Sequence, residues 1–183
     1  KFGVSKILFT GVAGSISDKA HIGDLVIGEH YAQHDLDASP FFPKYEIPLL
    51  GKTLIKACEE EMNAVVKACE AFLKNIEKYV DRKDLESIGL STPKIVVGDI
   101  ASGDQFIKSK QQSDAILEGL PTTVAVEMEG AAVAQVCYEN DMPFCVLRTI
   151  SDSANEDALV DFPKFIKKVS SRYSYGILKE LLV

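Results

Sequence analysis
The sequence predicts an α/β fold, a mixed central sheet covered by helices on both faces. Three observations lead there. Short apolar runs recur at 7–10, 22–29, 95–100, 124–126 and 144–150, each the length of a buried strand. Stretches with helical spacing or composition separate them, and that alternation is the signature of a layered α/β domain. Two of the runs also stop abruptly at acidic residues, Glu127-Met-Glu129 and Ser151-Asp152. Ligands bind at the carboxyl ends of strands in such sheets.

Each element follows from local pattern. The first strand, 7–10, runs into Gly11-Val-Ala-Gly-Ser15, read as a small-residue turn whose bare N–H groups allow close backbone approach, or as a plain tight turn. It is neither a P-loop nor a dinucleotide fingerprint. The strand 22–29 starts at Gly23-Asp24. Leu54, Cys58, Met62, Val65, Cys69, Phe72, Ile76 and Tyr79 recur at helical spacing and predict an amphipathic helix of about twenty-five residues. The polar stretch 81–93 reads as a loop, the place for disorder or insertion. Residues 95–100 form the next strand and 108–117 a short helix. The run 124–126, the helical stretch 131–140 and the run 144–150 read as a βαβ unit. Its two strands are expected to be parallel neighbours, with Glu129 and Asp152 in one crevice. The polar segment 153–161 is expected to be a lid, with Asp161 capping a last helix and Pro163 in its first turn. Phe162, Ile166, Val169, Tyr173, Ile177 and Leu181 give that helix its buried face.

Composition narrows the function. At 183 residues the chain reads as one domain, 1–183, and its 46% hydrophobic content excludes a disordered protein. No apolar run approaches the ~20 residues of a membrane-spanning helix, so no membrane partner is expected. The net charge of −7, with scattered lysines, argues against nucleic acid. Cys58, Cys69, Cys137 and Cys145 form no Cys-x-x-Cys pair and read as reduced, buried residues of a reducing compartment. His34-Asp-Leu-Asp37 lacks ligands from a second segment. It is read as a hydrogen-bonded network shaping the site, with no metal. The opening Lys1-Phe-Gly-Val4 reads as a helix tail, so the chain is expected to begin inside a fold and to lack its N-terminal strands.

The strand-end residues suggest chemistry. Asp152 follows a wholly apolar strand. It is either a desolvated acid able to donate a proton at neutral pH or a cap of the next turn. Glu129 opens a helix, where partial positive charge suits a carboxylate, and its two oxygens match a ribose diol. Glu127 is expected to point the other way in a structural role, and Met128 to pack on a ligand. Phe106 is either a platform for a flat ring or core packing, with the Ile107 backbone free to bond a heteroaromatic edge.

Thr10-Gly-Val-Ala-Gly14, His21-Ile-Gly-Asp-Leu-Val26, Gln33-His-Asp-Leu-Asp-Ala38, Ile100-Ala-Ser-Gly-Asp-Gln-Phe-Ile107, Val126-Glu-Met-Glu129 and Arg148-Thr-Ile-Ser-Asp152 occur in one order along nearly the whole chain. Together they resemble the purine nucleoside phosphorylase superfamily, and within it the 5′-methylthioadenosine/S-adenosylhomocysteine nucleosidases. The stretch 51–93 matches poorly. The resemblance implies a nucleoside phosphorylase-like fold and hydrolysis of the N-glycosidic bond of 5′-thioadenosines, releasing adenine and a thioribose in methionine salvage. It implies that Asp152 protonates the purine at N7 and Ser151 helps orient it. It implies that Glu129 and Met128 bind the ribose hydroxyls, that Phe106 stacks on adenine and that the Ile107 backbone bonds its edge. Ala13 and Gly14 would lie near the ribosyl face and the attacking water, and Phe162 around the alkylthio group. The family also implies a cytoplasmic homodimer with no cofactor and no metal, with Phe41 or Phe42 of Ser39-Pro-Phe-Phe-Pro43 at the contact and near the neighbour's alkylthio pocket. One departure stands out, since the glutamate that positions and activates water has no counterpart after Lys1. Two rivals follow: a phosphorylase of the same fold, for which Arg148 is the one basic candidate, and a non-catalytic nucleoside-binding module.

Overall fold
In a computed structural model, residues 3–87, 89–90, 93–155 and 157–182 are described. Strands β1 (Ile7–Ser15), β2 (Leu25–Gln33), β3 (Ile55–Lys56), β4 (Ile95–Ser102), β5 (Thr123–Glu127) and β6 (Phe144–Asp152) make one sheet in the order β3-β2-β4-β5-β1-β6. β2, β4 and β5 are mutually parallel, whereas β1 and β6 pair parallel with each other and antiparallel to that group. β6 also pairs back onto β2, from Leu25↔Thr149 to Ile27↔Leu147. Five strands therefore close into a ring, with β3 outside it. Closure pairs the strand edges that an open sheet would expose.

Among the described residues six α-helices accompany the sheet: α1 (Glu59–Lys74), α2 (Arg82–Ser87), α3 (Lys110–Gly119), α4 (Gly130–Glu139), α5 (Ala158–Phe165) and α6 (Ser171–Leu181). Strand alternation divides the core. Leu25, Ile27, Cys145 and Leu147 pack with Val65, Cys69 and Phe72 of α1 and Tyr173 and Ile177 of α6. Their neighbours Val26, Val146 and Ile150 pack instead with Ala131, Ala134 and Cys137 of α4. Phe72 meets the Tyr173 ring edge-on at 4.9 Å between centroids. Burying such a side chain contributes about 1.5–3 kcal/mol. The acidic first turn Glu59-Glu60-Glu61 and Lys74 in the last turn suit the α1 dipole.

The structure corrects several expectations. β5 and β6 are not parallel neighbours, because β1 lies between them. Apolar alternation cannot tell which distant strand will enter a gap in a closed sheet. Gly11 to Ser15 is not a turn but the second half of β1. Its glycines answer to close approach: a Cβ on Gly11 would lie 2.9 Å from an Arg148 nitrogen, and one on Gly14 2.8 Å from Asp152 Oδ1. The long helix is shortened to α1, since Ile55 and Lys56 pair with Tyr31 and His30 of β2 and a 3₁₀ turn holds Ile76–Lys78. The 81–93 loop contains α2, and its residues 88, 91 and 92 lie outside the described residues. The 153–161 segment is only partly a loop, because α5 starts at Ala158. Asp161 therefore lies in the first turn and Pro163 in the helix interior rather than at its start. Pro163 has no N–H to donate. The helical period then widens in a π turn at Ile166–Ser170, which leaves Ile166 exposed while Val169, Tyr173 and Ile177 stay buried.

Candidate active site
The carboxyl-terminal tips of β1, β5 and β6 meet at Gly14. It pairs with Val126 of β5 on one side and Asp152 of β6 on the other. β5 and β1 touch only through Gly14↔Val126 and Ser15↔Ala125, so their antiparallel contact is confined to the tips. The register of β1 against β6 slips between Ala13↔Ile150 and Gly14↔Asp152, which makes Ser151 an extra residue. A bulge of this kind re-aims the next side chain. Here it turns Asp152 onto the cavity.

That cavity has a volume of about 220 Å³. β1 contributes Val12, Ala13 and Gly14, and the β5–α4 junction contributes Val126, Glu127, Met128 and Glu129. Gln105, Phe106 and Ile107 follow β4, Ser151 and Asp152 end β6, and Phe162 projects from α5. Phe106 and Phe162 form an edge-to-face pair with centroids 5.7 Å apart, an apolar wall of the cavity.

Asp152 is 2% exposed, and among the described residues no cation pairs with it. Its Oδ1 accepts the Ala154 N–H at 2.9 Å and its Oδ2 the Ser151 hydroxyl at 2.8 Å. Burial pushes its carboxyl above the ordinary range, and these two hydrogen bonds only partly oppose that. A carboxyl shifted in this direction keeps its proton to higher pH than an ordinary one and can give it to a base in the cavity. Glu129 lies across the cavity at the start of α4. It is exposed and makes no capping bond with its side chain, so both oxygens can accept hydroxyls.

Glu127 had been expected to turn away. Its carboxylate is buried instead against Arg148, whose Nε and Nη2 donate at 3.1 and 2.5 Å, and the residue also lines the cavity. Ser102 Oγ and the backbone N–H groups of Glu129 and Gly130 also donate to it. Arg148 is 1% exposed and stacks over Phe9 at 4.2 Å. No local pattern signals this pair, because an arginine inside an apolar strand and a glutamate at a strand end are 21 residues apart. Val12, Gln105 and Val126 are further lining residues that the sequence reading missed.

The network expected at 34–37 is present in part. Asp35 Oδ2 accepts the Asp104 N–H at 2.7 Å and Asp37 Oδ1 the Ser39 N–H at 3.0 Å, while the His34 ring packs on Gly103 with Nε2 unpaired. Among the described residues one group is compact enough to hold a metal, Glu29, His30 and Asp99, and it lies outside the cavity. There His30 Nδ1 and Asp99 Oδ1 are 2.9 Å apart. All four cysteines are free. Phe41 is 86% exposed, Phe42 is half-buried, and neither lines the cavity of its own chain. No described helix is long and apolar enough to cross a membrane.

With this fold and site, the chain belongs to the phosphorylase superfamily, which it matches over residues 1–182. It is similar to the aminodeoxyfutalosine nucleosidase of Helicobacter pylori, 37% identical over 182 residues, or 99% of this chain and 69% of that one. It is also similar to the 5′-methylthioadenosine/S-adenosylhomocysteine nucleosidase of Shewanella pealeana, 36% identical over 168 residues, or 92% of this chain and 65% of that one. The chain thus spans about two thirds of the length of these relatives. Among solved structures, the nucleosidase of Neisseria meningitidis in complex with methylthio-immucillin-A superposes with a TM-score of 0.80 at 28% identity. That likeness covers 100% of this chain and 71% of the other.

Proposed function
We propose that the chain, one domain over 1–183, carries the site of a nucleoside N-glycosidase that hydrolyses 5′-thioadenosines to adenine and a thioribose. The observation that carries this reading is Asp152: a buried carboxyl without a cation, its proton affinity raised by desolvation, in a cavity shared with Glu129 and Phe106. Breaking a ribosyl–nitrogen bond leaves positive charge on the sugar and negative charge on the base, and both must be stabilised in the transition state. Asp152 gives its proton to N7 of the purine, so the base departs neutral. Ser151 holds the donor oxygen. Glu129 accepts the two ribose hydroxyls and places negative charge beside the cation, with Met128 packed against the sugar. Phe106 stacks on the base, the Ile107 backbone bonds its edge, and Phe162 walls the 5′ substituent. Water adds its hydroxyl to the anomeric carbon from the side of Ala13 and Gly14, and its remaining proton passes to solvent.

Methylthioadenosine, S-adenosylhomocysteine and aminodeoxyfutalosine are the candidate substrates, since relatives named for each are 36–37% identical to this chain. The phosphorolytic alternative needs a basic group for phosphate, and Arg148 already has Glu127 on two of its nitrogens. We also propose a cytoplasmic homodimer with exposed Phe41 at the contact, which an approximately doubled mass in solution would support and a monomeric mass would oppose. The deciding assay for the activity supplies each nucleoside in phosphate-free buffer and follows free adenine. Release without phosphate is expected. Release only with phosphate, or saturable binding without any product, overturns the hydrolytic reading.

A further inference from the structure
We propose that Ser113, on α3 and outside the cavity, is a positioning residue for Asp152: it pins the carbonyl of Ala154, the residue whose N–H, one peptide unit earlier, holds the carboxylate. This rests on the reading of Asp152 as the acid. Ser113 Oγ donates to the Ala154 carbonyl at 2.9 Å, a buried bond between residues 41 apart in sequence. A serine inside a helix usually bonds back to the carbonyl one turn earlier. Here that alternative acceptor, the Ser109 carbonyl, is farther away at 3.4 Å.

The backbone of Ala154 itself gives an independent reason for a holding device. Ala154 has φ 45°, in the left-handed region that an alanine rarely occupies. Its N–H reaches Asp152 Oδ1 at 2.9 Å, it is 1% exposed, and its Cβ leaves no room for a side chain on Gly14. An alanine left to itself would relax toward negative φ and carry the N–H away from the carboxylate. Ser113 and Asp152 hold the two ends of this turn, one by its carbonyl side and one by its amide side. The serine thereby acts on the acid without touching a ligand.

The charged groups around Asp152 come from several elements. Asp161 of α5 lies near enough to repel the carboxylate. Glu127 and Glu129 line the same cavity, and the β1 wall, Val12 to Gly14, carries no charge. Asp18, His21, Lys110 and Asp114 line a polar hollow that Ala154 also borders, with Lys110 paired to Asp114 at 2.8 Å.

The test measures adenine release against pH for the intact protein, for Ser113→Ala, and for Ser113→Thr, which restores the hydroxyl. Rate requires a protonated Asp152, so activity falls as pH rises through its pKa. Losing the N–H bond to the carboxylate raises that pKa. The alkaline limb of the kcat profile is therefore expected to move to higher pH by about half a unit in Ser113→Ala, with kcat at its plateau down about 3- to 10-fold and KM little changed. Ser113→Thr should recover most of both. Ala154→Gly removes the need to hold an alanine in the left-handed region, and in that background Ser113→Ala should shift the limb less. A lower melting temperature for Ser113→Ala with an unmoved limb and unchanged kcat would overturn the proposal and leave the N-glycosidase reading standing. If the intact protein itself releases no base, that reading fails, and the proposal falls with it.

Discussion

Two buried carboxylates close the strand tips, and they are built in opposite ways. Glu127 ends β5 at 8% exposure and Asp152 ends β6 at 2%. Glu127 faces a guanidinium, a hydroxyl and two backbone N–H groups, so its charge is balanced on the spot. Asp152 has one hydroxyl and one N–H, and burial raises its pKa. Similar burial at equivalent strand ends thus yields an ion pair across the ring in one case and, in the function we propose, a proton donor in the other. The difference comes from what stands opposite each tip: Arg148 of β6 against Glu127, but the side-chain-free Gly14 of β1 against Asp152.

Substituting Asp152 and Arg148 in turn should separate the roles of the two sites most widely. Asp152→Asn is expected to lower kcat by about 10²–10⁴-fold, the usual worth of a positioned acid, while nucleoside binding by calorimetry survives. Full turnover in this variant would end the acid assignment. Arg148→Met should act on stability instead. It leaves the Glu127 charge buried and unpaired, at a cost of about 3–5 kcal/mol in urea unfolding. Adding Glu127→Gln to Arg148→Met should recover part of that loss. If Arg148→Met were as stable as the parent, the ion pair would not be the stabilising contact expected here.

Much of this contrast was legible in sequence, but unequally. Asp152, Glu129 and Phe106 stand at the ends of apolar runs, and a run that stops at a polar residue marks a strand tip whatever the topology. For that reason the shared cavity emerged correctly from a wrong premise, the parallel pairing of β5 and β6. What placed the tips together was β1, more than a hundred residues earlier, and nothing local encodes that insertion. Gly11 and Gly14 were visible as small residues. Their reason, room for Arg148 and Asp152, depends on a partner strand and so was misread as a turn. The Glu127–Arg148 pair was missed for a related cause: a buried charge is recognisable only when its counter-charge is known to face it.

Gly14 sharpens the comparison at the next scale. A methyl at Gly14 would lie 2.8 Å from Asp152 Oδ1 and 3.0 Å from the Ala154 Cβ, both inside a packed wall. Gly14→Ala is therefore expected to destabilise by about 1–3 kcal/mol, the range for overpacking, and to lower activity by displacing the acid. Crystals of the variant with Asp152 unmoved and full activity would contradict the close-approach role.

The smallest expected effect is a gain. A folded-state pKa raised above the ordinary carboxyl value of 3.8 favours the protonated form in the folded protein. Asp152 is then no burden to the fold below that value, where folded and unfolded chains are both protonated. As pH rises through the raised pKa, the unfolded chain ionises more easily than the folded one, and stability is lost. An amide at this position does not ionise, so Asp152→Asn should be more stable than the parent near neutral pH, by on the order of 1 kcal/mol, as when a strained functional residue is relieved. The difference should fade as pH falls toward 3.8. Glu127→Gln should instead be less stable than the parent at neutral pH, because it leaves Arg148 buried without its counter-charge. Thermal melting of the two variants across pH 4–8 checks both signs in one series. An Asp152→Asn variant less stable than its parent at neutral pH would mean that the two hydrogen bonds to the carboxylate outweigh the cost of burying it.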